Sequence, residues 1–459
     1  MLAIREHTIK AMLKRFLHTA AFLVIACVVV NGADPAHAKK ISMIRDAEIE
    51  NTIRLFATPV FKAANLAPSA VKIHLIQDNA LNAFVAGGQR LFINSGLITQ
   101  STSADQIIGV FAHETGHIAG GHLARLNEIL EKSTMTTILS LILGATAIAA
   151  GHGEVGMMVV AAGQGLAQSN FLRYSQTQES AADQAALKFL DASGQSAKGF
   201  LDFMNILGEQ ELLIADYQDP YVRTHPLTRD RVASIANHVA NSPHSGKTVS
   251  PELEILYRRA RAKLVGYVNP IGHTLRIYKA TDNSLESRYA RAIGYSRKPD
   301  MAKALPLIDG LLAEHPRDPY FWELKGQMIF ENGDAKGALG PYKTATSLLP
   351  GNPLLRRDLA RVQLALNDPS LLNDAILNLK AAIADDRESP FTWRQLAIAY
   401  GRQGEKGHSS LALAEEALLI GRLEVARYHA GLVERVFPKG SREWLQSQDI
   451  LTAARPRNK

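Results

Sequence analysis

The chain has 459 residues, a length that suggests about two to four folded units. Hydrophobic residues at 46% and charged residues at 21% are globular composition and exclude a wholly disordered chain. The net charge of +7 is too dilute at this length to indicate nucleic-acid binding, and a single cysteine excludes a disulfide framework or a cysteine-based zinc finger.

The first 38 residues read as an address. Arg5, Lys10, Lys14 and Arg15 form a basic start, Ala20 to Val30 is an unbroken apolar run, and Ala36-His37-Ala38 is a small-residue cleavage pattern. The apolar run is too short for a comfortable membrane span. Residues 1–38 are therefore expected to be a signal peptide cleaved after Ala38, giving export to a periplasm. Val24-Ile25-Ala26-Cys27 offers an alternative, a lipoprotein tether through Cys27. The valines that follow Cys27 place it inside the apolar run and favour simple cleavage. Without Cys27 the mature chain has no thiol to oxidise, which suits an exported protein.

Residues 39–70 read as one or two helices. Val71 to Ile76 alternates as a strand does. Ala83 to Val85 and Arg90 to Ile93 read as a hairpin turned at Gly87-Gly88. A helix capped near Ser103 or Asp105 then runs into His113-Glu114-Thr115-Gly116-His117. On a helix, residues four apart share a face, so two imidazoles of an H-E-x-x-H motif can chelate one zinc ion. Glu114 falls beside them, where it can take the proton of an attacking water. With fifteen histidines in the chain, chance would supply roughly 0.02 such motifs. The apolar residues Ile107, Ile108, Val110 and Phe111 bury the helix, and polar groups buried there need a purpose.

A catalytic zinc needs a third protein ligand. His122 and Glu179 are the candidates. Glu179 is favoured, because its helix also carries Asp183 one turn on, where it can hold a ligand histidine by its other ring nitrogen. His122 would then make a hydrogen bond within the helix turn. Between these motifs, Ser133 to Gly153 and Val155 to Asn170 contain no Asp, Glu, Lys or Arg. This segment, about 133–170, reads as an apolar helical hairpin joined near Gly151-His152-Gly153. It either covers the active-site cleft, which its length favours, or makes peripheral membrane contact; it is short for a span.

H-E-x-G-H followed by E-x-x-A-D resembles the gluzincin metallopeptidases that include the HtpX and CAAX prenyl proteases. Asn82-Ala83-Phe84, Gly87-Gly88 and Ile93-Asn94-Ser95-Gly96-Leu97 resemble the strand pair that precedes the family's zinc helix. His225-Pro226-Leu227-Thr228-Arg229-Asp230-Arg231 resembles its downstream H-P-x-x-x-x-R motif. The resemblance covers roughly residues 45–240 and implies a zinc endopeptidase with one Zn2+ per chain. It implies His113, His117 and Glu179 as ligands and Glu114 as the base. It also brings His225 to the cleft, either as an oxyanion donor or as a plug on the metal's open position. The strand Ala83-Phe84-Val85 can bind an extended substrate by strand addition, or merely support the zinc helix.

The polar segment Ser242 to Ser250 marks an expected boundary, giving a peptidase domain over 39–250 and a second domain over 251–459. The second domain has a 34-residue period. Pro316 and Pro350 are in phase, and Trp322, Gly326, Ala338, Tyr342 and Ala345 fall on the large and small positions of a tetratricopeptide repeat. About four to five such units make an α-solenoid, usually a protein dock. The basic run Arg258 to Lys263 reads as a solvated helix face, not a nucleic-acid contact. The fold class expected is mainly α with a small β element. The order of signal peptide, zinc peptidase and repeats resembles that of periplasmic peptidases acting on outer-membrane proteins. It implies degradation of misfolded or stalled β-barrel proteins, some help in their assembly, and docking on the β-barrel assembly machinery through the repeats. The rival reading is a periplasmic chaperone or scaffold with a structural or vestigial metal site.

Overall fold

A computed structural model describes residues 42–149, 153–211, 225 and 227–455. The expected signal peptide with its cleavage point and Cys27, the turn at Gly151-His152, and Pro226 lie outside the described residues.

The described residues from Met43 onward form one compact unit. Its first half is built on a sheet of β1 (Met43–Ile44), β2 (Lys72–Ile76), β3 (Ala83–Ala86) and β4 (Arg90–Asn94) in the order β1-β2-β4-β3. β2 and β4 are parallel, and the hairpin β3–β4 is antiparallel with Ala83 opposite Ile93. Gly87 and Gly88 turn that hairpin with φ of 58° and 91°, a region that favours glycine. Leu75, Leu91, Ile93 and Ala83 point from the sheet into the core. The opposite face carries a stack of His74, Phe92 and Phe84.

Four helices matter most for the site. They are α1 (Ala47–Ala63), α3 (Ala104–Ala119, after the short α2, Ser95–Gln100), α4 (His122–Ala149) and α5 (Gly153–Ala192). Phe56, Phe61 and Phe111 are among the side chains fully buried where α1 and α3 meet the sheet. The helix expected to carry Glu179 and Asp183 is the far end of α5, which runs 40 residues from the apolar insert to the site without a break. α4 and α5 pack along each other, with Gly163 of α5 set close against Ser140 of α4. Their apolar side chains are nevertheless largely outward: Ile142, Leu143, Met157 and Met158 are all exposed. Those four side chains therefore do not cover a cleft. No helix among the described residues is long and apolar enough to cross a membrane.

After α6 (Lys198–Glu211) and α7 (Arg229–Asn241) comes α8 (Pro251–Val268). Although it follows the expected boundary, its Tyr257, Ala260 and Leu264 belong to the same core as Phe111. The expectation of a solvated basic face fails here. Arg259 is 8% exposed and Lys263 1%. Both are buried because they face carboxylates: Arg259 meets Glu48 at 2.7 Å and Asp318 at 2.6 Å, and Lys263 meets Asp46 at 2.7 Å.

Beyond Leu285 the chain is a tetratricopeptide-type α-solenoid of stacked helical pairs. Examples are Pro319–Glu331 with Ala335–Leu348, and Pro390–Gln403 with Lys406–Leu419. The expected small and large positions are the packing positions. Ala338, Tyr342 and Ala345 are buried, and Gly326 lies against the Tyr342 ring. Between two of the repeat helices lies a 3-10 turn at Pro369–Leu371.

Candidate metal centre

The helix α3 brings His113, Glu114 and His117 to one end of the core, where His113 and Glu114 are fully buried. Opposite them lies α5, held unusually close. A Cβ on Gly116 would stand 2.7 Å from the backbone oxygen of Ala182, so only glycine lets the two helices meet at this point. That approach sets Glu179 and Asp183 against the two imidazoles.

The Nε2 atoms of His113 and His117 are 3.1 Å apart. Glu179 lies 3.3 Å from each, one oxygen to each ring. The remaining nitrogens point outwards and are occupied. His113 Nδ1 is 2.9 Å from Asp183, and His117 Nδ1 is 2.9 Å from His122 Nδ1. With both Nδ1 atoms taken as donors, two nitrogen lone pairs and a carboxylate converge on one point, an arrangement that calls for a cation. His225 joins them: its Nδ1 is 3.1 Å from both oxygens of Glu179 and 3.3 Å from His113 Nε2. The four side chains offer ligand atoms all within 4.8 Å of one another, a cluster able to hold a metal ion.

The electrostatics fit that reading. Burial opposes a charge on His113, yet hydrogen bonds to Asp183 and Glu179 outweigh it and raise the pKa to about 10. His117, buried beside that charge, is pushed down to about 3. Despite its burial, Glu179 is held well below the usual carboxylate range by His225, His113 and His117. A metal ligand must be an unprotonated imidazole nitrogen or a carboxylate, so protons and a divalent ion compete for this cluster. Glu114 behaves differently. Burial pushes its carboxyl up, and neither oxygen has a hydrogen-bond partner among the described residues. His225 Nε2 lies 3.6 Å from Glu114 Oε1.

Every residue expected at the metal site is brought together, and His122, the alternative ligand, stands on the outer side of His117. The strand Ala83-Phe84-Val85 is the sheet edge beside α3. Ala83 faces the core and Phe84 stacks on Phe92, so what this edge presents is backbone. Arg231 had no expected role. It is 4% exposed and grips Asp183 with two hydrogen bonds of 2.6 and 2.9 Å, while also reaching Glu179 at 3.2 Å. Its signal was the arginine that ends the H-P-x-x-x-x-R pattern.

Residues 43–239 match the profile of Peptidase family M48. Over 391 residues the chain is 23% identical to the beta-barrel assembly-enhancing protease of Yersinia pestis, covering 84% of this chain and 79% of the relative. It is 26% identical to the protein of that name from Escherichia coli (strain K12), over 84% of this chain and 78% of the relative. Among solved structures, a thermophilic TPR protein of Thermus thermophilus aligns with 37% of this chain and 100% of its own, at 20% identity and a TM-score of 0.25. Residues 43–239 are a Peptidase family M48 domain, and the protein is a zinc-dependent metallopeptidase.

Proposed function

We propose that this protein is an exported endopeptidase of the bacterial envelope that removes misfolded or stalled β-barrel proteins and assists their assembly. The name of its relatives supports the client class. The observation that carries the catalytic reading is Glu114, a fully buried carboxylate with no hydrogen-bond partner among the described residues, set beside a cluster of two histidines and a glutamate. A structural or vestigial metal site has no use for such a group, whose burial is costly.

His113, His117 and Glu179 would hold the zinc. Bound there, zinc supplies a Lewis acid that polarises the scissile carbonyl and acidifies water. Glu114 takes the proton from the attacking water on its carboxylate oxygen and hands it to the departing amine. Its raised affinity for protons, caused by burial, suits a group that must accept and then release one. An extended client segment added along β3 would gain backbone hydrogen bonds beside α3. His225 would fill the cluster's fourth corner in the resting enzyme, a reading supported by its contacts to Glu179 and His113.

Docking falls to the repeats. A cavity of about 290 Å³ there is lined by Trp393, Tyr400 and Leu411 together with Lys380, Arg387, Arg442 and Glu443, a mixed apolar and charged wall suited to a protein side chain. The outward apolar rows of α4 and α5 support peripheral membrane contact over 133–170.

The test compares wild type with Glu114→Gln and Glu179→Gln, by casein proteolysis, elemental zinc analysis and the proteome of cells carrying each. Glu114→Gln should lose activity by about a hundredfold or more while keeping zinc, and envelope β-barrel proteins should accumulate. Glu179→Gln should lose zinc as well. Persisting activity in Glu114→Gln would remove it as the base.

A further inference from the structure

The sequence His117-Ile118-Ala119-Gly120-Gly121-His122 ends α3 and begins α4 with only two residues, Gly120 and Gly121, between them. Gly120 N–H donates to Gly116 O, and Gly121 N–H to Ile118 O. Gly121 then takes φ of 63°, the left-handed conformation that reverses the chain. This reversal lays the His122 ring back over the end of α3. A Cβ on Gly120 would stand 2.2 Å from His122 Nε2, so the ring occupies the space that a side chain at 120 would need. The backbone of His122 is fixed from the other side. Its carbonyl accepts a hydrogen bond of 3.1 Å from the hydroxyl of Tyr174, on the helix that carries Glu179.

So placed, the imidazole is 7% exposed, and its Nδ1 meets His117 Nδ1 at 2.9 Å. A histidine that turns an Nε2 lone pair towards the cluster must carry its proton on Nδ1. That N–H needs an acceptor, since burying it unpaired is costly. For His113 the acceptor is Asp183. For His117 the described residues place no carboxylate on this side, and His122 stands in that place.

We propose that His122 is a positioning residue for the metal centre: its Nδ1 accepts the Nδ1–H of His117, fixing that ring's tautomer and orientation, with the Gly120-Gly121 turn built to deliver it. The proposal rests on the reading that His117 is a zinc ligand. The two histidines of the motif are then held by different partners, a carboxylate for His113 and a neutral imidazole for His117. A neutral acceptor fixes the ring without adding negative charge beside Glu179. Partners of this kind typically contribute 10–100-fold in metal affinity.

The test uses a nearly isosteric pair. Asn at 122 keeps a polar atom at the position of Nδ1, whereas Leu has the same size and none. Zinc dissociation constants of the full chain are measured by chelator competition for wild type, His122→Asn, His122→Leu and His117→Ala. The expected result is a loss of about 10–100-fold for His122→Leu, with His122→Asn within a few-fold of wild type. Should the Leu variant fail to fold, Gly120→Ala replaces it. It retains the histidine but displaces its ring, and the same loss of zinc is expected. Unchanged zinc affinity in His122→Leu, or equal losses in the Asn and Leu variants, would overturn the proposal. Unchanged affinity in His117→Ala would instead overturn the reading of His117 as a ligand.

Discussion

At the scale of single residues, the site separates carboxylates by their neighbours. Glu179 faces imidazole nitrogens and is kept ionised. Asp183, four residues on, faces His113 and the Arg231 guanidinium; despite burial, these hold its carboxyl below the usual range. Glu114 has no hydrogen-bond partner among the described residues, only His225 Nε2 at 3.6 Å, and burial raises it. Spacing alone made the roles of His113, Glu114 and His117 legible, because the helix fixes which side chains share a face. Arg231 was not legible in this way, since its partner depends on where α7 meets a helix 48 residues earlier in the chain. His225 is the most consequential single position. If its ring fills the fourth corner, His225→Ala should raise basal casein proteolysis in the full chain. If instead it donates to the oxyanion, the same variant should fall by about a hundredfold or more. A drop with no rise under any condition would exclude the plug.

At the scale of elements, the decisive contact is helix on helix. Gly116 sits between the two zinc-motif histidines, and its missing side chain lets α5 rest on α3 at Ala182. Gly116→Ala should push these helices apart at backbone, which cannot yield as a flexible side chain would. A cost of about 1–3 kcal/mol is expected for such overpacking. The thermal midpoint of the metal-free chain should fall, and zinc affinity should fall with it because Glu179 and Asp183 move away with α5. A lower midpoint with unchanged zinc affinity would show that the contact is structural alone. The sequence identified the glycine as part of a motif but not its neighbour, because close approach depends on a crossing point. In the same way, the apolar segment ending near Asn170 and the helix carrying Glu179 read as separate features, yet one helix passes through both. No proline interrupts Gly153–Ala192, and glycines at 163 and 165 are tolerated within a helix at modest cost.

At the scale of the whole molecule, peptidase and repeats are joined by buried charge. Arg259 and Lys263 face Asp46, Glu48 and Asp318, so two cations already meet three carboxylates when Glu323 arrives beside Lys263 at 3.4 Å. A fourth anion would lack compensation. Burial therefore raises Glu323 from 4.5 to about 8, and the folded protein holds this proton more tightly than the unfolded chain. Its contribution is full below the ordinary value of 4.5 and is lost as pH climbs through about 8. Glu323→Gln mimics the protonated form at every pH. The variant should match wild type in thermal stability near about pH 5 and exceed it above about pH 8.5, where wild type has lost the proton. Parallel curves across that range would show that Glu323 is ionised in the fold. The repeat period was readable because solenoid packing is local. This joint was not, because its partners come from opposite ends of the chain, and a basic helix stripe reads as solvated until the acids that cover it are known.

That joint also bears on timing. Glu48 accepts the Tyr289 hydroxyl proton at 2.6 Å across a sequence separation of 241 residues, and the same carboxylate is fully buried. Until Arg259, Lys263 and Tyr289 arrive, the first helix of the peptidase carries a carboxylate with nothing to pair it, and sealing it away from water is prohibitive. Contacts of such long range also form late, because the intervening chain must first be closed into a loop. A peptidase is itself an unfolded chain while it is being made. Placing the closing charges in the later-made half keeps the peptidase half unfinished until the repeats begin to exist.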